Sequence, residues 1–178
     1  MIRNHLLGLL KAYSSDDQHE QSMLLNTINF IEANPACFER SLLQGHITGS
    51  AWILNQERTH ALLMHHQKLD KWFQPGGHCD GDPDVSAVAA KEAFEETGIE
   101  VTLIAPEVFD VDHHVIPERK DVPEHIHYDI RFLFEAEKLV DELPSNAEAK
   151  AVRWIPLHEV SGYNNTPSII RLVEKSLR

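Results

Sequence analysis

Apolar and polar positions along the chain change period near residue 44. Over the first forty residues the spacing is helical. Leu6, Leu7, Leu9 and Leu10 form one apolar stripe, and Met23, Leu24, Ile28 and Ile31 form a second. Ser15-Asp16-Asp17-Gln18 reads as a capping-box start for the second helix, and Asn34-Pro35 stops it. From His46 short apolar runs take over. Residues 46–54 predict a strand, 55–58 a turn and 59–64 the returning strand of a hairpin, with 68–75 as a connecting loop. Further on, strands are predicted over 100–104 and 108–111, and a polar, proline-containing loop over 114–124. A strand of alternating character covers 128–134, a loop or short helix 138–146, and a strand 151–155. Thr166-Pro167 opens a last helix that runs to Leu177. Strands then helix, repeated, predict an α/β protein with a mixed sheet between helical layers.

Between the hairpin and the later strands lies Gly76-Gly77-His78-Cys79-Asp80-Gly81-Asp82-Pro83, followed by a helix that ends before Gly98. Asp82 is a good N-cap, Pro83 suits the first helical position, and Gly98 suits the left-handed residue that closes a helix. Glu92, Glu95 and Glu96 stand at i, i+3 and i+4, so three carboxylates share one face within a turn. They repel one another, and the helix dipole disfavours anions in the last turn by roughly 0.3–1 kcal/mol each when exposed. Val85, Val88 and Ala89 continue that face and turn it inward. Carboxylates so placed call for a cation. Mg²⁺ prefers oxygen ligands and bridges to substrate phosphates. A solvated acidic helix end is the bland alternative, and the agreement of glycine turn, cap, register and terminal glycine weighs against it.

The stretch resembles the signature of the Nudix hydrolases, G-x5-E-x7-R-E-U-x-E-E-x-G-U. Gly77, Glu92, Glu95, Glu96, Gly98 and Ile99 match it in register. Pro83 stands where the family has its first glutamate, Lys91 where it has arginine, and Ala93 at an apolar position. The resemblance covers about residues 44–178 and implies a Nudix domain with an α/β/α sandwich, leaving residues 1–43 as an N-terminal helical extension. That extension either packs on the main domain or forms a homodimer contact. The resemblance further implies a divalent-metal-dependent pyrophosphohydrolase that cleaves a nucleoside diphosphate linked to another moiety. Glu92, Glu95 and Glu96 would hold Mg²⁺ or Mn²⁺, with the backbone carbonyl of Gly77 as a further ligand. The general base would be a signature glutamate, Glu92 or Glu95, or the late-loop residue Glu148. Lys91 keeps the charge of the family's arginine but loses its planar two-pronged grip.

Charge and composition narrow the partners. Twenty-eight acidic against sixteen basic residues give a formal charge of −12, which disfavours a long nucleic acid. Cys37 and Cys79 are the two cysteines, too few for a disulfide framework, and no apolar run is long enough to span a bilayer. A cytoplasmic protein is expected. Candidate substrate-binding residues are Lys91, His78, Arg131 and Trp72. Lys68, Arg119 and Lys120 are further phosphate contacts, and Phe73, Phe109 and Tyr128 further stacking surfaces. Taken singly, each is more often core or surface than ligand.

Two rival functions share the sequence. A catalytically impaired Nudix-fold binding or regulatory protein would keep the fold without hydrolysis, although it has little reason to hold three repelling carboxylates together. Twelve histidines, including His65-His66, His113-His114 and the His125, His127 pair on one strand face, suggest a histidine-ligated transition-metal protein.

Overall fold

The computed structural model describes residues 3–119, 122–145, 147 and 149–178. Its chain clusters into two compact units. The first comprises the chain up to Ser50, with Gly76–Ala89 and Pro106–Phe132; the second comprises Ala51–Pro75, Ala90–Ala105 and Leu133–Arg178. Three elements run unbroken from one unit into the other: β1 (Gly45–Asn55), α3 (Val85–Thr97) and β7 (His125–Ala136). Among the described residues no helix is long and apolar enough to cross a membrane.

The first unit opens with α1 (Asn4–Ala12) and α2 (Gln18–Ala33). Asp17 is the N-cap of α2, its carboxylate accepting from the amides of His19 at 2.7 Å and Glu20 at 3.0 Å. Leu6, Leu10, Met23 and Ile31 are buried, as their spacing predicts. Helix α2 packs on β6 (Asp110–Ile116). Glu20, fully buried, accepts from the Val111 amide at 3.0 Å and from the Tyr13 hydroxyl at 2.6 Å. Phe30 stacks on Tyr128 of β7, ring centroids 4.1 Å apart. The N-terminal helices therefore have a packing role within their own chain. Strands β6 and β7 pair antiparallel from Asp110↔Arg131 to Ile116↔His125. The short strand β4 (Gly76–His78) pairs with β1 through Thr48↔His78, Gly49↔Gly77 and Ser50↔Gly76. The start of α3 lies so close to β1 that a Cβ at Gly49 would sit 2.7 Å from the Val85 carbonyl oxygen, which is why glycine is needed there.

The second unit is built on β2 (His60–His66), whose residues Ala61, Leu62, Leu63 and Met64 are all buried in succession. That is the pattern of a strand covered on both faces. β2 pairs antiparallel with β9 (Ala149–Pro156) and with β3 (Trp72–Phe73), while β8 (Glu142–Leu143) pairs with β9. β5 (Thr102–Leu103) pairs with the end of β7, and the end of β1 with the start of β2. The intervening turn is closed by Asn55, whose side-chain oxygen accepts from the amides of Thr59 at 2.9 Å and His60 at 2.8 Å. After a 3-10 turn at Leu157–Glu159 come α4 (Val160–Tyr163) and α5 (Pro167–Ser176). The Trp52 indole donates to Ser176 Oγ at 2.8 Å and ties α5 down.

Several elements depart from their sequence expectation. β6 runs on to Ile116 through residues expected to be loop, because β7 pairs with it residue for residue. The connecting loop and the glycine loop each form a short strand, β3 and β4, and β8 lies where a loop or short helix is expected. The 3-10 turn and α4 have no counterpart in the prediction. Helix α3 is capped by Asp84 rather than Asp82: Asp84 Oδ1 accepts from the Ala87 amide at 3.0 Å and from Ser86 Oγ at 2.8 Å. Asp82 instead accepts from the Asp84 amide at 2.9 Å, so Pro83 precedes the helix. These bonds to its charged form hold the Asp84 carboxyl below its usual pKa. Asp84→Ala should therefore cost about 1 kcal/mol in urea unfolding, as for a lost N-cap, and Asp82→Ala measurably less.

Candidate functional site

In the second unit, the last two turns of α3 carry the three glutamates. Glu96 is buried, Glu92 partly so, and Glu95 is exposed. Lys91 reaches Glu95 at 3.5 Å, a single contact one turn along the helix. Ala93 is fully buried, so the packing at this point of the helix holds a small residue. The helix closes as the sequence predicts: Gly98 has φ +74° and its amide donates to Phe94 O at 2.8 Å. Carboxylate oxygens at i, i+3 and i+4, one of them withdrawn from water, are a donor set that fits a hard divalent ion such as Mg²⁺. Trp72, in the same unit, stacks on His65 at 5.1 Å and meets Tyr163 edge-on at 5.3 Å, with the Arg153 guanidinium 5.6 Å over its ring. Lys68 is exposed and Phe73 half-buried.

In the first unit, Gly77 lies in β4 opposite Gly49. Arg131 is buried, and its guanidinium meets Asp129 at 2.8 Å, Asp112 at 2.9 Å and Asp110 at 3.1 Å. It thus serves as an internal counter-ion, not as the open phosphate contact the sequence suggests. Arg119 is exposed, and Phe109 and Tyr128 are half-buried. Glu148 and Lys120 lie outside the described residues. Both cysteines are buried and form no disulfide, and burial pushes the Cys37 thiol up to about 11 and raises that of Cys79 as well.

The first unit also holds a group that sequence reading found only in part. Alternate residues of β7, His125, His127, Asp129 and Arg131, share one face. On β6 the register sets Asp110 opposite Arg131 and His114 opposite His127. On β1, Thr48 Oγ1 and Ser50 Oγ donate to Asp129 at 3.0 and 2.8 Å, and His46 stands two residues earlier. His46 is buried, and its ring lies 4.9 Å from that of His78, 5.1 Å from His125 and 4.8 Å from His127. Neither ring nitrogen of His46 has a hydrogen bond of normal length and angle, although the Leu42 backbone lies close enough to favour the charged ring slightly. The signal that could have found His46 is its alternation with Thr48 and Ser50, which matches the polar alternation of β7.

Burial lowers the His46 pKa from 6.5 to about 4, assisted by His78, His125 and Arg40. Burial likewise lowers His127 and His78, in His127 with further contributions from His78, His46, His114 and His125. Desolvation disfavours the charged ring, so these imidazoles are neutral in the fold while the unfolded chain protonates them. Stability should accordingly be fully present above pH 6.5 and be lost as pH falls towards 4. Urea denaturation of the EDTA-treated protein between about pH 7.5 and 4, the range over which imidazole changes charge, tests this. His46→Phe should flatten the dependence.

A family model for the NUDIX domain matches residues 46–174. Phosphatase NudJ of Escherichia coli K12 is 32% identical over 110 residues, which are 60% of this chain and 64% of NudJ. The match thus spans less than two thirds of the length of such relatives. Among solved structures, MutT protein from Methanosarcina mazei Go1 is similar with a TM-score of 0.55 and 22% identity, over 77% of this chain and 96% of that one. An Ap4A hydrolase from C. elegans is similar with a TM-score of 0.53 and 17% identity, over 72% and 93%. These structures share the α/β fold.

Proposed function

The chain belongs to the Nudix family, and from that premise we propose that it is a pyrophosphohydrolase cleaving a nucleoside diphosphate linked to another group, with residues 44–178 as the catalytic domain and 1–43 as its helical extension. The observation that carries the reading is the Glu92, Glu95, Glu96 set, placed by helical register on one face of α3 with Glu96 withdrawn from water. NudJ's description as a phosphatase and the Ap4A hydrolase fold point the same way.

Glu92, Glu95 and Glu96 would hold Mg²⁺ or Mn²⁺. Such an ion neutralises phosphate charge and makes hydroxide available near neutral pH. Glu92, Glu95 or Glu148 takes the proton of the attacking water. Lys91 steadies Glu95 through one ammonium contact, which leaves that carboxylate more freedom than a bidentate arginine would. Trp72 offers a flat face for a base, and His78 a neutral ring that can donate a hydrogen bond to a phosphate or ribose oxygen. The buried thiols fit a reducing compartment such as the cytoplasm.

Hydrolysis of a panel of nucleoside triphosphates, nucleotide sugars and dinucleotides, with and without Mg²⁺ or Mn²⁺, tests the reading. The expected result is metal-dependent cleavage of at least one member, reduced on the order of 100-fold or more by Glu96→Gln, since a lost ligand should cost at least as much as a lost supporting contact. Tight nucleotide binding without turnover would instead identify a binding protein.

A further inference from the structure

The proposed hydrolysis uses oxygen donors on α3 and does not account for the buried histidines of β1 and β7. Donor atoms of His46, His125 and His127 all lie within 4.8 Å of one another. Nε2 of His125 and Nε2 of His127 are 3.2 Å apart. Two imidazole nitrogens on a tetrahedral zinc-type ion, with metal–nitrogen bonds of about 2.0–2.1 Å, stand roughly 3.4 Å apart. The pair is therefore already at the spacing of two ligands sharing an ion.

The proton on His125 can be placed. Its Nδ1 is 2.9 Å from the Pro123 carbonyl oxygen. A carbonyl only accepts, so Nδ1 carries the hydrogen and Nε2 presents a lone pair towards His127. This is the arrangement that orients a metal-binding histidine, the outer ring nitrogen donating to a backbone carbonyl. Without an ion, His127 could donate from its own Nε2 to that lone pair, which would satisfy these two rings. It would do nothing for His46, buried with no hydrogen bond of normal geometry and only an approach to the Leu42 backbone, although its ring packs against both. Buried polar atoms are nearly always partnered, and an ion between the three rings would give His46 one.

We propose that His46, His125 and His127 form a binding site for a transition-metal dication of the zinc class. Imidazole nitrogen suits such ions and not Mg²⁺. All three side chains come from the first unit. His78, with ring centroids 4.9 Å from both His46 and His127, borders the site. An ion held here would pin the start of β1 to the start of β7.

The test uses the full chain purified without a histidine tag, stripped with EDTA, and returned to buffer with Mg²⁺ in excess. Calorimetric titration with Zn²⁺ alone, and the visible spectrum with Co²⁺, are read. One ion per chain is expected, with a Co²⁺ band of nitrogen ligation. His46→Phe and His127→Gln should each weaken Zn²⁺ binding by about 100-fold or more, as loss of a ligand does. His65→Gln and Glu96→Gln should leave it unchanged. Metal-free His46→Phe should melt at or above the parent chain, since it removes a buried polar ring that makes no hydrogen bond of normal geometry, so its reading does not depend on His127→Gln folding. Absence of stoichiometric binding, binding that survives both His46→Phe and His127→Gln, or binding lost in Glu96→Gln would each overturn the proposal. Failure here leaves the hydrolysis reading untouched, because cleavage is measured with Mg²⁺ or Mn²⁺.

Discussion

The guanidinium of Arg131 is the constraint on which the first unit depends. It is buried, and a buried charge is tolerated only when its partners are well placed. Asp110 and Asp112 come from β6 and Asp129 from its own strand, while Asp129 is also held by Thr48 and Ser50 of β1. Side chains alternate along a strand, so slipping β7 by one residue would send Arg131 to the face where Tyr128 meets Phe30 and leave three aspartates without it. The cluster therefore selects one register for β6 against β7. That register also decides where His114, His125 and His127 fall. The placing of His125 and His127 follows from the arginine that stands six and four residues beyond them on the same face.

How much of this was legible depended on whether the information was local. The N-terminal helices, the hairpin of β1 and β2, and α5 follow from periodicity and capping within a dozen residues. So does the acidic set on α3, because helical register alone brings Glu92, Glu95 and Glu96 to one face. The polar face of β7 was another matter. Alternation over 128–134 marks a strand, but it does not say whether the polar side faces water, and here Asp129 and Arg131 are buried. The length of β6 was equally hidden, since its polar second half is a strand only by virtue of pairing with β7. His46 went unnoticed for the same reason: its neighbours in space are about thirty and eighty residues away in sequence.

The departures from the family signature have local explanations where the structure describes them. Pro83 replaces a glutamate, and it lies between Asp82 and the cap Asp84, where the bond from the Asp84 amide to Asp82 closes a turn around it. A proline loses nothing there, because no helical partner exists for its missing N–H. Ala93 is fully buried, in keeping with a site where the helix packs tightly. Lys91 is different in kind. Its side chain is exposed and its 3.5 Å approach to Glu95 is the loose contact of a surface pair, worth little to stability. Its influence lies in how firmly it orients one carboxylate.

Hard and borderline donors are sorted by element in this chain. The acidic residues of α3 are oxygen donors on a helix, Glu92 and Glu95 in reach of water, a set suited to an ion that keeps its own waters and exchanges with substrate. The imidazoles of β1 and β7 are nitrogen donors in a setting dry enough to keep His46 and His127 neutral. Burying a ring with no hydrogen bond of normal geometry, as His46 is, costs up to about 1–3 kcal/mol relative to an apolar residue of similar shape. An apolar side chain at position 46 would pack against three other rings without that cost. A local rule broken where a simple substitution would mend it is the mark of a residue kept for what it binds, and the lone pairs that remain at His46, His125 and His127 are what such a residue has to offer.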